Sequence, residues 1–106
     1  MLSLIVCTYQ RPKEIAQLLQ TIAGGERLPD ESLIVDGSED LETETVVGDF
    51  VKLGDIPNLH YLRVPPEQRG LTRQRNYGIE RVRGDMVAFL DDDTILHARR
   101  IGQLSH

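Results

Sequence analysis

The sequence predicts an α/β fold: a Rossmann-like, mostly parallel sheet with flanking helices. Three observations carry this. Short apolar runs alternate with stretches of helical periodicity along the whole chain. The apolar runs lack the strict in-out alternation of a sheet wetted on one side. The last of them, Met86 to Leu90, passes straight into Asp91-Asp92-Asp93.

Each element has a local cause. Leu2 to Cys7 is apolar apart from Ser3 and reads as the first strand. Pro12 opens a helix at its favoured first position, Ile15, Leu18, Leu19 and Ile22 form its apolar stripe, and Gly24-Gly25 ends it. Leu33-Ile34-Val35 is a second strand, stopped at Asp36-Gly37. Leu41 to Leu53 is a weaker helix, with Val47, Phe50 and Val51 on one face and Gly48 lowering its propensity. His60 to Val64 is the third strand, halted by Pro65-Pro66. Leu71 to Val82 is helical, with Leu71, Arg75, Gly78, Ile79 and Val82 along one side. Met86 to Asp91 is a fourth strand, expected to be buried on both faces, and Ile95 to Leu104 begins another helix. Residues 1–106 read as one domain, without repeat, low-complexity tract or linker.

Composition narrows the function. The net charge of -5 argues against general nucleic-acid binding. Its distribution says more: nine acids and one base, Lys52, lie between Asp30 and Asp55, whereas six arginines lie between Arg63 and Arg83. A basic stretch on an acidic protein is compatible with a local anion site. Aromatics are 5% and Trp is absent, so the core must be aliphatic. Cys7 is the single cysteine, which excludes an internal disulfide and suits a small buried hydrophobe. The N-terminus has no signal-peptide pattern and no segment could span a bilayer, so a cytoplasmic location is the expectation.

In parallel α/β sheets, ligands bind beyond the carboxyl ends of the strands. That rule selects Thr8, Tyr9, Gln10 and Arg11 after the first strand, Asp36, Gly37 and Ser38 after the second, and the three aspartates after the fourth. Adjacent carboxylates repel one another, and a hard divalent cation, Mg²⁺ or Mn²⁺, resolves that conflict. The plainer alternative is a solvated acidic turn with Asp92 or Asp93 as a helix N-cap. Likewise Tyr9 could cover a helix start, Asp36 could be a turn residue and Ser38 an N-cap. Together, an aromatic face, a carboxylate, an arginine and a metal cluster suit a nucleoside diphosphate.

Four segments, in order, resemble the family 2 nucleotide-sugar glycosyltransferases. Val6-Cys7-Thr8-Tyr9-Gln10-Arg11-Pro12 is similar to that family's PTYNRP opening, and Leu33 to Ser38 to its IIVDDGS. Arg69-Gly70-Leu71-Thr72-Arg73-Gln74-Arg75-Asn76-Tyr77-Gly78-Ile79 resembles xGLsxARNxGI, and Gly84 to Asp93 resembles GeyIaFLDDD. The resemblance implies the N-terminal half of a GT-A fold. It implies that Thr8, Tyr9 and Arg11 line a nucleotide pocket, with Tyr9 against the base. Asp36 would accept the imide N–H of a uracil or thymine, so a UDP-sugar is the favoured donor. Arg75 would lie near the diphosphate or base, while Asn76 and Gly78 fix helix packing. Asp91 would face ribose and metal, and Asp93 would ligate the Mn²⁺ or Mg²⁺ directly. Arg73 matches no family residue, and His97 reads as a surface histidine.

One departure stands out. Inverting transfer needs a carboxylate to deprotonate the acceptor, and no Asp or Glu follows Asp93. The expectation is therefore the nucleotide-binding part of a longer transferase, with no catalytic base and no transfer to an acceptor by this chain alone. Uncovered apolar surface would make a homodimer plausible. A non-catalytic nucleotide-binding or interaction module on the same fold is the alternative. A phosphoacceptor receiver domain fits poorly, because Cys7-Thr8 stand where it needs an acidic pair and no Lys follows Lys52.

Overall fold

The computed structural model describes residues 1–92. Four strands, β1 (Leu2–Thr8), β2 (Glu31–Asp36), β3 (Leu59–Arg63) and β4 (Met86–Asp91), form one sheet in the order β3-β2-β1-β4. Every neighbouring pair is parallel. Helices α1 (Pro12–Ala23), α2 (Glu42–Leu53) and α3 (Leu71–Ile79) connect them, with a short 3-10 turn at Pro66–Gln68. The expected helix from Ile95 lies outside the described residues.

The pleat divides the core into two layers. Leu4 and Val6 of β1 and Ile34 of β2 point to one face, where Ile15, Leu18, Leu19 and Ile22 of α1 and Val47 of α2 cover them. Ile5, Leu33 and Val35 point to the other face, which packs with Val64, Tyr77 and Val82. Gly78 of α3 lets that helix approach closely: a Cβ there would lie 3.0 Å from Ile5 and 3.2 Å from Val35. Gly54 caps α2 in the left-handed conformation, at φ 75°. After β3 the chain crosses back over β2 and β1 to lay down β4, so the strand order reverses between β1 and β4. Such a reversal opens a crevice at the carboxyl ends of the two strands.

Three expectations change. Met86, Val87 and Phe89 of β4 are 41%, 37% and 39% exposed rather than buried on both faces. β4 is the edge strand of the described sheet, and α3 packs on β1 and β2 instead. On α2, Val47 and Thr43 point inward while Val51 is half exposed. On α3, the buried pair is Gln74 and Gly78, and Leu71 and Ile79 face solvent. The helix also stops at Ile79, a turn before Val82. An apolar side chain on a helix marks the core only if the helix is rolled that way, and close contact at Gly78 sets the roll of α3.

Candidate nucleotide site

A cavity of about 360 Å³ opens where β1 and β4 diverge, lined by Cys7, Thr8, Tyr9, Arg11, Arg69, Gly70, Leu71, Gln74 and Asp92. One wall is the β1 end and the start of α1. Thr8 is buried there, and its hydroxyl donates to Asp92 Oδ2 at 2.9 Å. Arg11 reaches Asp92 Oδ1 at 3.4 Å. Gln10 makes the bend between them at φ 50°, its N–H donating to Ser38 Oγ at 2.6 Å. Tyr9 is 47% exposed at the mouth, and its hydroxyl donates to Glu39 at 3.3 Å. Thr8, Tyr9 and Arg11 therefore meet on one cavity, as the strand-end rule requires.

The opposite wall is the start of α3. Gly70 precedes it at φ 117°, a backbone that favours glycine. Arg69 stands at the mouth, 3.7 Å from Glu39. The floor between the walls is Gln74, only 4% exposed. Its amide donates to the carbonyls of Thr8 (3.1 Å) and Val35 (2.9 Å), and its Oε1 accepts the Gly70 N–H (3.1 Å).

Asp36 lies under the turn after β2 and is not among the residues that line the cavity. Its carboxylate is fully buried, Oδ1 accepts the Ser38 N–H at 2.9 Å and Oδ2 accepts the Tyr61 hydroxyl at 2.6 Å. Both oxygens thus help to hold the turn after β2. Burial, reinforced by that bond to Asp36, pushes the Tyr61 hydroxyl well above its ordinary pKa and keeps it a donor. Arg63 secures the same loop through the carbonyls of Ser38 (2.6 Å) and Asp40 (2.8 Å).

Arg75 is not on the cavity wall; its guanidinium lies 5.3 Å from the Phe89 ring centre on the β4 side of α3. Asp91 ends β4 opposite Cys7 and is exposed. Asp92, which the Asp-x-Asp reading passes over, is the acid that turns into the cavity. The β1–β4 register explains this: Cys7 faces Asp91, so the next residue falls beside Thr8. Asp93, the expected direct metal ligand, lies outside the described residues, as does His97. Among the described residues no three His, Cys, Asp or Glu side chains converge on a metal position. Burial pushes the Cys7 thiol up to about 11, so it lines the cavity as a neutral, unreactive group.

A four-stranded parallel sheet with flanking helices and a crevice at its switch point defines a Rossmann-like α/β domain. Residues 3–105 match the model of Glycosyl transferase family 2, and the chain belongs to that family. It is 36% identical over 94 residues to a glucosyl-dolichyl phosphate glucuronosyltransferase of Haloferax volcanii, across 86% of this chain and 28% of that protein. Residues 1–349 of S. aureus TarS, solved with UDP-GlcNAc, superpose with a TM-score of 0.82 at 26% identity, across 96% of this chain and 29% of theirs. The Pyrobaculum calidifontis mannosyltransferase PcManGT, solved with GDP-Man and Mn²⁺, shares the fold with a TM-score of 0.83 at 24% identity, across 98% and 30%. The chain thus spans less than a third of each of these relatives. Arg69, Gly70, Gln74 and Asp92 are the cavity residues that motif reading left unassigned. Gln74 stands where the family string has alanine, and nothing in a linear pattern marks it as the floor.

Proposed function

We propose that this chain is the nucleotide-sugar-binding part of a glycosyltransferase that moves a sugar from a nucleoside-diphosphate sugar to an acceptor. The carrying observation is the cavity at the β1–β4 switch point, with Tyr9 at its mouth, Arg11 and Arg69 on opposite walls and Asp92 between them. Tyr9 offers an aromatic face to a base. Arg11 and Arg69 offer guanidinium forks to phosphate oxygens. Thr8 and Arg11 hold the Asp92 side chain at the strand end. The donor set suits a hard divalent cation: Asp91 is exposed beside this cavity, and Asp93 follows two residues on. Asp91 and Asp93 would hold Mn²⁺ or Mg²⁺, which when bound neutralises a departing diphosphate. The S. aureus relative was solved with UDP-GlcNAc, which favours a UDP-sugar as the donor. The exposed apolar side chains of β4 would allow two copies to associate through that edge.

Calorimetry with UDP tests this reading. Affinity should rise when Mn²⁺ is added and fall in Asp93→Ala and Arg11→Ala. Equal affinity with and without metal would remove the Asp91–Asp93 assignment, and no binding of UDP or GDP under either condition would remove the nucleotide reading.

A further inference from the structure

We infer that Gln74 is a positioning residue that sets the spacing between the two walls of the cavity. It rests on the nucleotide reading only for what fills that space. The side chain is almost completely buried, and all three of its hydrogen bonds go to backbone atoms of different elements. Two carbonyls, of Thr8 at the end of β1 and of Val35 near the end of β2, share its amide. The Thr8 carbonyl already accepts the Gly37 N–H at 3.0 Å, so Gln74 adds a side-chain donor to strand ends that are themselves paired. That donor comes from α3 and thereby pins the helix to the strand ends.

The third bond closes a loop. The Gln74 N–H donates to the Gly70 carbonyl at 2.8 Å, while the Gly70 N–H donates back to Gln74 Oε1. The residue that opens the α3 wall is therefore held at both its polar atoms by one glutamine. Thr8, whose carbonyl the same amide fixes, carries the hydroxyl that holds Asp92. A single side chain thus couples the position of Gly70 on one wall to that of Thr8 and Asp92 on the other. Gly37 leaves the room for it: a Cβ there would lie 3.0 Å from Gln74 Oε1 and 3.3 Å from Arg69 Cγ.

The experiment uses the 106-residue chain, with UDP and Mn²⁺ as the probe and four variants: Gln74→Met, Gln74→Ala, Gly37→Ala and the Gly37→Ala/Gln74→Ala pair. Gln74→Met keeps the volume but none of the bonds, and UDP affinity measured well below its unfolding midpoint should fall about five- to thirty-fold. Gly37→Ala should weaken binding on its own and have a smaller further effect once Gln74 is alanine, because the nearest contact of the added methyl, 3.0 Å, is with that side chain and only the 3.3 Å contact with Arg69 remains. A lowered unfolding midpoint with unchanged affinity would make Gln74 a stabilising residue only and overturn the inference, as would fully additive effects of the two alanines. Amide exchange at Gly70 reads the same joint without nucleotide. Protection in the parent chain that disappears in Gln74→Met supports the inference even if UDP fails to bind, whereas unchanged protection refutes it.

Discussion

At the scale of single residues, two buried carboxylates, Glu31 and Asp36, tie down the two ends of β2. Asp36 accepts the Tyr61 hydroxyl there. Removing its donor in Tyr61→Phe leaves Oδ2 buried without a partner, so the variant should lose about 1–3 kcal/mol of stability. The ratio of UDP to CDP affinity should stay as it is, since Asp36 does not line the cavity. A shift in that ratio, measured by calorimetry, would assign Asp36 to base recognition. Glu31, at the other end of β2, is also buried and gives a pH dependence. Burial opposes its charge, yet the Ser3 hydroxyl and the amides of Arg83 and Gly84 outweigh that and hold its pKa below the ordinary range. With the folded value below the unfolded one of about 4.3, the unfolded chain binds more protons between them. This contribution is complete above the unfolded value and is lost as pH falls through the folded one. In urea melts from about pH 6 to pH 3, Glu31→Gln should show a shallower loss of stability than the parent chain.

At the scale of elements, two helical glycines with the same propensity cost have opposite reasons to be there. Gly78 sits against Ile5 and Val35, whose side chains would have to give by a few tenths of an ångström to admit a methyl group, whereas nothing lies within 4 Å of a Cβ at Gly48. Alanine at either position gains up to about 1 kcal/mol of helix propensity. At Gly78 overpacking of about 1–3 kcal/mol outweighs that gain. Gly78→Ala should therefore lower the unfolding midpoint and Gly48→Ala should raise it. Equal shifts of the same sign would show that α3 is free to move off the sheet. The contrast also bears on the side of α3 that carries Leu71, Arg75, Gly78, Ile79 and Val82: the close approach at Gly78 leaves Leu71 and Ile79 exposed.

At the scale of the whole molecule, the acids at the cavity among the described residues are already engaged by neighbouring side chains. They are Asp92, held by Thr8 and Arg11, and Glu39 at the mouth, contacted by Tyr9 and Arg69. No Asp or Glu follows Asp93 in the sequence. General-base assistance is worth about 10²–10⁴-fold in rate. The 106-residue chain with Mn²⁺, UDP-sugars and candidate acceptors should release nucleotide no faster with acceptor than without. Acceptor-dependent release at about 1 s⁻¹ or more, a rate ordinary for an enzyme, would mean that a base within these residues, or one supplied by a second copy, had been overlooked.

The order of elements, the parallel sheet and the gathering of Thr8, Tyr9 and Arg11 at one strand end are properties of the sequence itself. They follow from local causes: apolar runs, Pro12, the paired glycines and the rule that ligands sit at carboxyl ends of parallel strands. What required the tertiary structure is everything that depends on register and roll. The β1–β4 pairing brings Asp92, beside the expected Asp91, next to Thr8. The position of β4 at the edge leaves Met86, Val87 and Phe89 exposed although their sequence reads as a buried strand. The roll of α3 puts Gln74, a polar residue with no motif to announce it, under the cavity. A linear pattern reports which residues share a face of one element, but a hydrogen bond from α3 to two strand ends exists only after three elements have met.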